Sequence, residues 1–146
     1  MIQFKFSLRP NQGGPSGFDL GDIVVTGESG IATSVGQSPD QGVMIYLSIS
    51  LLLDQMATLV GSSKGSFKFV GADSSFMLTF RMKGNIVETS GRGRTIGVAD
   101  SAELFEEVLR AAEEFAASGF SRLPESDAVR EDFSTSLLQF RRCLTR

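Results

Sequence analysis

The chain has 146 residues, of which 41% are hydrophobic and 21% are charged, and its formal net charge is −3. This length and composition predict one globular domain over residues 1–146 and exclude a disordered chain. The negative net charge disfavours nucleic acid as a partner, because binding of phosphate groups requires a basic surface.

The first strands are indicated by alternating and β-rich patterns. Apolar and polar residues alternate over residues 2–8, which predicts a strand with one face on a core. Two short β-rich runs follow at residues 22–26 and 31–35, separated by the sequence GESG at residues 27–30. This spacing predicts a hairpin with a four-residue connection.

The longest apolar stretch, at residues 43–60, should lie in the centre of the molecule because it is apolar almost throughout. Residues 43–47 have the length of a strand, after which Ser48 or Ser50 is suited to cap a helix that Gly61 closes. A single helix over residues 43–60 is the alternative. Polar residues interrupt the stretch, so we do not expect it to cross a membrane.

Four further strands are predicted in the second half of the chain, at residues 66–69, 76–82, 86–89 and 95–98. Phenylalanine dominates their apolar positions. We expect four of these rings to share one sheet face as a core cluster: Phe67, Phe69, Phe76 and Phe80.

Two amphipathic helices are predicted at the end of the chain. Asp100 and Glu103 match a capping box, and apolar residues at helical spacing continue to Gly119. A second helix follows, with Ser126 or Asp127 as its cap. Three arginines suit the negative C-terminal end of that helix: Arg141, Arg142 and Arg146.

The order of these elements predicts an α+β fold. Strands come first, one helix interrupts them and two helices end the chain, so the strand–helix alternation of a parallel sheet is absent. We therefore predict a mainly antiparallel sheet of about six to eight strands, with one central helix and two C-terminal helices packed on it.

The residue types present limit the chemistry that the chain can perform. Histidine is absent, so a catalytic triad has no imidazole base and a zinc site lacks its commonest ligand. The one cysteine, Cys143, has no partner for an intramolecular disulfide or a redox pair. Asp40 and Asp54 flank the central stretch and would share a metal only if the fold brought them together. We therefore expect no catalytic residues, no cofactor and no metal site.

The sequence GRGR at residues 91–94 has two interpretations. Its backbone amides and guanidinium groups could bind an anion, but it matches neither the Walker pattern nor GxGxxG, and it precedes a predicted strand rather than a helix. An exposed loop between edge strands is the favoured interpretation, and anion binding stays open.

The first C-terminal helix carries a set of glutamates on its outer face. Acids near a helix N-terminus on a solvated surface are common, and this interpretation accounts for most of the pattern. The other interpretation is a negatively charged face that docks a basic partner. The predicted partner-binding residues are Glu103, Glu106, Glu107, Glu113 and Glu114.

The layout of the chain resembles that of bacterial polymorphic-toxin immunity proteins and related small bacterial domains. The resemblance is carried by SLLLD at residues 50–54, GADSSF at residues 71–76 and the acidic amphipathic helix over residues 101–117. It implies a stoichiometric inhibitor that binds a cognate toxin, often a basic nuclease, through an acidic surface. It is a likeness of layout, so no site residues are carried over from it.

These observations favour a non-enzymatic, cytoplasmic protein that binds a protein partner, with an immunity protein against a basic toxin as its most specific form. The cytoplasm is expected because the chain has a single cysteine and because its first residues, MIQFKFSLRP, lack the pattern of a leader. One alternative is a small-molecule-binding or enzymatic domain with a pocket between sheet and helices. Another is a structural subunit that oligomerises through a strand edge or a phenylalanine-rich patch.

Overall fold

The computed structural model describes residues 1–145 and has the α+β class predicted from the sequence. Within these residues there are eight strands and three α-helices, with a short 3₁₀ turn at Phe120–Arg122 between the last two helices. The strands are β1 (Ile2–Leu8), β2 (Leu20–Gly27), β3 (Gly30–Thr33), β4 (Val43–Met44), β5 (Lys64–Val70), β6 (Met77–Lys83), β7 (Ile86–Gly91) and β8 (Arg94–Asp100). The helices are α1 (Ile45–Ala57), α2 (Ser101–Gly119) and α3 (Ala128–Leu144).

The strands form two antiparallel sheets, whereas the sequence led us to expect one. The first sheet has the order β1-β2-β3, and β4 pairs with the start of β2. The second sheet has the order β5-β6-β7-β8. The helix α1 separates the two sets of strands along the chain, and the sets approach each other where β2 and β3 contact β8.

The two sheets meet at a junction of close backbone contacts. Ser29 donates its backbone N–H to the carbonyl oxygen of Ile96 at 2.8 Å. A Cβ atom on Gly27 would lie 2.4 Å from that same oxygen, and one on Gly97 would lie 3.4 Å from the Cα of Gly27. The absence of a side chain at residue 27 is therefore what lets the sheets approach this closely.

The hairpin between β2 and β3 is tighter than predicted. Gly27 and Gly30 pair with each other, so only Glu28 and Ser29 connect the strands, in place of the expected four-residue connection. The glycines resemble turn residues in the sequence, but the ladder of backbone hydrogen bonds continues through both of them.

The central stretch is helical over most of its length. Only Val43 and Met44 are in a strand, and α1 begins at Ile45, so the predicted strand over residues 43–47 is wrong beyond Met44. A continuous apolar run does not by itself distinguish a buried strand from a buried helix. Eight of the 13 residues of α1 are buried, which is why it is apolar around most of its circumference.

The predicted serine cap of α1 is also wrong. Met44 occupies the N-cap position without a side-chain hydrogen bond. The hydroxyl of Ser48 instead accepts a hydrogen bond from the backbone N–H of Ala72 at 2.9 Å, which fastens the β5–β6 turn to the helix. Gly61 lies in the turns after the helix, with a φ of +79°.

The N-cap residues predicted for α2 and α3 are confirmed, whereas Glu103 forms no hydrogen bond back to Asp100 within the described residues, so the predicted capping box is incomplete. Asp100 accepts a hydrogen bond from the N–H of Ala102 at 2.9 Å, and Asp127 accepts one from Val129 at 3.0 Å. The helix α2 ends at Gly119, as predicted. Arg141 and Arg142 lie in the last turn of α3, whereas Arg146 lies outside the described residues.

One cluster of buried side chains joins both sheets to the three helices. The phenylalanine cluster predicted for one sheet face contributes to it: Phe67 stacks on Phe80 with ring centroids 4.9 Å apart, and Phe69 is fully buried. Phe4 from the first sheet reaches the same ring of Phe80 at 6.3 Å. Across residues 1–145, no helix combines the length and apolar character needed to cross a membrane.

Candidate binding site

The five glutamates predicted to bind a partner lie along one side of α2, but they differ in exposure. Glu103, Glu106 and Glu114 are exposed, whereas Glu107 and Glu113 are half-buried. Glu103 is three and four residues from Glu106 and Glu107, which are seven residues from Glu113 and Glu114, respectively, so the five lie in a stripe on the helix surface. Burial alone therefore indicates that two of the five have contacts within the protein.

Glu107 closes the free edge of β1. Its Oε2 atom accepts a hydrogen bond from the backbone N–H of Phe4 at 2.8 Å. Arg110, one turn further along α2, donates to Glu107 at 2.7 Å and to the carbonyl oxygen of Phe4 at 3.3 Å. The two side chains thus satisfy the backbone of an edge strand at one residue, as a neighbouring strand would do.

Two more of the glutamates form ion pairs. Glu114 binds Arg110 at 2.7 Å, and Glu113 binds Arg141 of α3 at 2.6 Å. Glu103 and Glu106 form no ion pair with any residue from 1 to 145. The binding of a partner by the α2 stripe stays a prediction, and only these two of its carboxylates are free of arginine.

A second acidic surface lies in a groove between α1 and α3, which we call the α1–α3 groove. Leu47, Ser50 and Leu51 form its α1 side. Its volume is about 450 Å³. The remaining lining residues, from the end of α1 and from α3, are Asp54, Glu131, Asp132, Thr135, Ser136 and Gln139.

The α1–α3 groove is negatively charged and has an apolar floor. None of its lining residues is basic, and Asp54, Glu131 and Asp132 make no ion pair within the described part of the chain. Leu51, which lines the groove, is 40% exposed. Charge and apolar surface therefore occur together here.

Ser50 gives the groove an unsatisfied polar group. The residue is 8% exposed, and its Oγ atom has no hydrogen-bond partner among residues 1–145. A buried hydroxyl without a partner is costly, and such groups are few in native proteins. Ser50 lines the groove, but its Oγ atom is itself closed to solvent, so a molecule in the groove would reach it only after the side chain changed its rotamer.

The sequence contains a signal for this groove that our prediction did not use. Leu47, Leu51 and Asp54 are spaced by four and three residues, so they share one face of α1. Asp132 and Thr135 have the same three-residue spacing on α3. The sequence does not show that these two helix faces lie opposite each other in the fold.

The structure does not bring Asp40 and Asp54 into one site. Asp40 binds Arg9 at 2.8 Å, whereas Asp54 lines the α1–α3 groove. In the part of the chain that the structure describes, no three carboxylate or cysteine side chains are grouped as ligands for a metal. Cys143 is a free, half-buried thiol.

Arg9 organises a cluster that the sequence analysis missed. It binds Asp22 at 2.9 Å as well as Asp40, and Asp22 also accepts a hydrogen bond from the hydroxyl of Ser34 at 2.7 Å. The hydrogen bonds from Arg9 hold the pKa of Asp40 at about 2 and lower that of Asp22. The cluster fastens the loop between β3 and β4 to the first sheet.

The GRGR segment forms a tight turn between β7 and β8. Arg92 and Gly93 connect the strands and have φ values of +53° and +73°, as the two central residues of a type I′ turn do. Arg92 donates a hydrogen bond to the side-chain oxygen of Gln37 in the loop between β3 and β4. The expected loop is therefore a two-residue turn whose first arginine has a side-chain partner.

No family model, curated protein or solved structure matches the chain in sequence or in fold.

Proposed function

We propose that the chain is a non-enzymatic binding protein that docks a basic segment of a protein partner in the α1–α3 groove. The observation that carries the proposal is a set of three carboxylates, Asp54, Glu131 and Asp132, that form no ion pair within residues 1–145 and line a groove together with the exposed Leu51. The α2 stripe is the weaker candidate, because three of its five glutamates already bind arginines of the same chain.

A lysine or arginine side chain fits the chemistry of the groove. Such side chains have an apolar stem and a charged head, and they bury the stem against apolar surface while the head stays polar. The stem would lie on Leu47 and Leu51, and the head would approach the carboxylates. Unpaired acids also attract a basic partner at long range, which accelerates association at low salt.

The resemblance to immunity proteins makes the proposal more specific. On that basis the partner is a basic toxin, the chain inhibits it stoichiometrically, and the complex forms in the cytoplasm. This identification of the partner comes from the resemblance, whereas the choice of surface comes from the groove.

The test is affinity capture from the native cell with the wild-type protein and two matched variants. The groove variant combines Asp54→Asn, Glu131→Gln and Asp132→Asn, which remove charge with little change in shape. The control variant combines Glu103→Gln and Glu106→Gln, two exposed acids of α2 without ion pairs. Glu103 and Glu131 both lie in the first turn of their helices, so the two variants lose similar dipole interactions.

We expect a basic protein that is captured by the wild-type and control proteins and is lost from the groove variant. Retention of the same partner by the groove variant would contradict the proposal. Loss from the control variant alone would transfer the function to the α2 stripe predicted from the sequence.

A further inference from the structure

A second cleft lies where the first sheet approaches the outer face of the second sheet, and we call it the inter-sheet cleft. Its volume is about 340 Å³, within the range of roughly 300 to 1,000 Å³ found for small-molecule sites. It is bounded by β3, by the turn between β7 and β8, and by β5 and β6. It is separate from the α1–α3 groove, with which it shares no lining residue.

The floor of the cleft is a row of polar side chains across three strands. Lys68 pairs with Thr79, and Thr79 pairs with Ser90, so the three side chains point to the same face of the second sheet. Neighbouring strands are about 4.8 Å apart, so the backbones of Lys68 and Ser90 are about 10 Å apart. A lysine side chain is long enough to reach the middle of this row.

Arg92 stands at the other end of the cleft and is held in place. Its hydrogen bond to Gln37 ties it to the loop that follows β3. The amide of Gln37 in turn donates to the carbonyl oxygen of Thr33 at 3.2 Å, so the arginine is linked to β3 through one intermediate side chain. This arrangement lowers the entropy that the arginine would lose on binding an anion.

The cleft is positively charged in a protein whose net charge is −3. Neither aspartate nor glutamate lines it, and Lys68 and Arg92 form no ion pair with any described residue. The hydroxyls of Thr79 and Ser90 lie between these two cations in the row. Cations and hydroxyl donors without a carboxylate are the groups that bind an oxyanion.

One wall of the cleft is apolar. Ile31 of β3 is 65% exposed and Met77 of β6 is 41% exposed, and both line the cleft. Large apolar side chains with this exposure, next to a polar floor, suit a ligand that has a polar and an apolar part.

We infer that the inter-sheet cleft binds a small molecule in which a phosphate group is attached to an apolar moiety. Arg92 and Lys68 neutralise the phosphate from two sides, the hydroxyls of Thr79 and Ser90 donate to its oxygens, and Ile31 and Met77 contact the apolar part. Phosphate is favoured over carboxylate because two cations and two hydroxyls supply more donors than two carboxylate oxygens require. The inference is independent of the proposed binding of a protein partner.

The experiment is a titration of the full chain followed by amide chemical shifts in nuclear magnetic resonance. The probes are phenyl phosphate, inorganic phosphate and phenol. We expect saturable shifts at Lys68, Thr79 and Ser90 with phenyl phosphate, weaker binding of inorganic phosphate, and no saturable shift with phenol. Equal affinities for phenyl phosphate and inorganic phosphate would overturn the apolar part of the inference.

Two arginine variants of the same turn test the site itself. Arg92→Asn removes the charge, and asparagine tolerates the positive φ of this residue, so the turn is kept. Arg94→Gln removes a neighbouring charge that does not line the cleft. We expect phenyl phosphate to bind about tenfold more weakly to Arg92→Asn, the change expected for one charge-assisted hydrogen bond, and with unchanged affinity to Arg94→Gln.

An equal loss of affinity in the two variants would mean a general electrostatic attraction and would overturn the inference. The variant Lys68→Gln supplies a second check that leaves the turn intact. This variant should also bind phenyl phosphate more weakly. Unchanged affinity of Lys68→Gln for phenyl phosphate would contradict the convergence of the two cations on one phosphate.

Discussion

Arg9 binds two carboxylates, Asp22 and Asp40, that lie 13 and 31 residues further along the chain. Both bonds are charge-assisted, with distances of 2.8 to 3.0 Å between the guanidinium nitrogens and the carboxylate oxygens. Asp40 also accepts a hydrogen bond from the backbone N–H of Gly42 at 2.8 Å. One arginine thus fixes the path of the loop that leads into α1 and carries Gln37.

This cluster should make the free energy of unfolding depend on pH in the acid range. The folded state lowers the pKa of Asp40 to about 2 and also lowers that of Asp22. A lowered pKa stabilises the folded state above the ordinary aspartate pKa, and the stabilisation is lost as the pH falls toward the folded value. We therefore expect the loss between about pH 4 and pH 2.

The variant Asp40→Asn tests this origin of the acid sensitivity. Urea unfolding at several pH values should show a steeper fall for the wild-type protein than for the variant, because the variant has no proton to bind at this residue. Parallel curves for the two proteins would show that Asp40 does not contribute to the acid dependence.

Individual residues also show which side-chain roles can be predicted from sequence. Asp100 and Asp127 cap helices through backbone amides two residues away, so the local pattern was sufficient. The partners of Arg9 are distant in sequence, and nothing in the local pattern identifies them. Ser48 resembled a cap in the sequence, but its hydroxyl bonds to Ala72 in a different element.

At the scale of elements, β1 is an edge strand that α2 covers. The strand pairs with β2 on one side, and without α2 its other side would expose backbone groups to another chain. Glu107 and Arg110 satisfy the N–H and the carbonyl oxygen of Phe4. These two α2 side chains therefore have a structural role that an acidic surface pattern alone does not indicate.

We expect Glu107→Ala to destabilise the protein and Glu106→Ala to leave it nearly unchanged. Loss of the carboxylate deprives the N–H of Phe4 of its partner, at a cost of about 1 to 3 kcal/mol in the free energy of unfolding. Glu106 is exposed and forms no ion pair within residues 1–145, so its change should stay within about 0.5 kcal/mol. Urea unfolding measures both, and equal stabilities of the two variants would contradict this role of Glu107.

The same observation affects how the α2 stripe should be tested. A charge reversal at Glu107 would disrupt the cover of β1 as well as remove a surface charge, so a loss of binding would have two explanations. Glu103 and Glu106 are the residues of the stripe whose substitution isolates surface charge.

The elements with strong periodicity were predicted well, and the central one was not. The alternation in β1 and the helical spacing in α2 each leave one face for the core, so their patterns identify them. The helix α1 is buried on most sides, between α3 and the sheets, and its apolar run has no clear period. Tertiary burial, rather than the local pattern, decides its conformation.

At the scale of the whole molecule, the junction between the sheets depends on Gly27. A Cβ atom there would lie 2.4 Å from the carbonyl oxygen of Ile96, closer than van der Waals contact allows. We expect Gly27→Ala to reduce the free energy of unfolding by about 1 to 3 kcal/mol, because the backbone cannot yield as a flexible side chain does. The matched control is Gly30→Ala. Gly30 pairs with Gly27, and a Cβ on Gly30 would meet no atom within 4 Å.

Thermal and urea unfolding compare the two glycine variants directly. The control should stay within about 0.5 kcal/mol of the wild-type protein. If Gly27→Ala were as stable as Gly30→Ala, the close approach of the two sheets would not be a constraint on the fold.

The class of the fold was predictable from sequence because the order of strand and helix patterns defines it. The division into two sheets was not, since the local strand patterns do not show where pairing stops, and the close approach of Gly27 to Ile96 joins residues that are 69 apart in the sequence. The α1–α3 groove was not predictable either. Its acids come from two helices, and Asp54 and Glu131 are 77 residues apart in the sequence. Local patterns identify the two acidic faces, and only the fold brings them together.

Docking of a basic partner in the α1–α3 groove is tested by measuring how the affinity of the protein for the captured partner changes with salt. We expect the groove variant, with Asp54, Glu131 and Asp132 neutralised, to bind about tenfold more weakly at low salt, since each of three exposed pairs contributes roughly 0.2 to 1 kcal/mol. Its affinity should also change less with salt than that of the wild-type protein. Equal affinities and equal salt dependence for the two proteins would contradict docking of the partner in the α1–α3 groove.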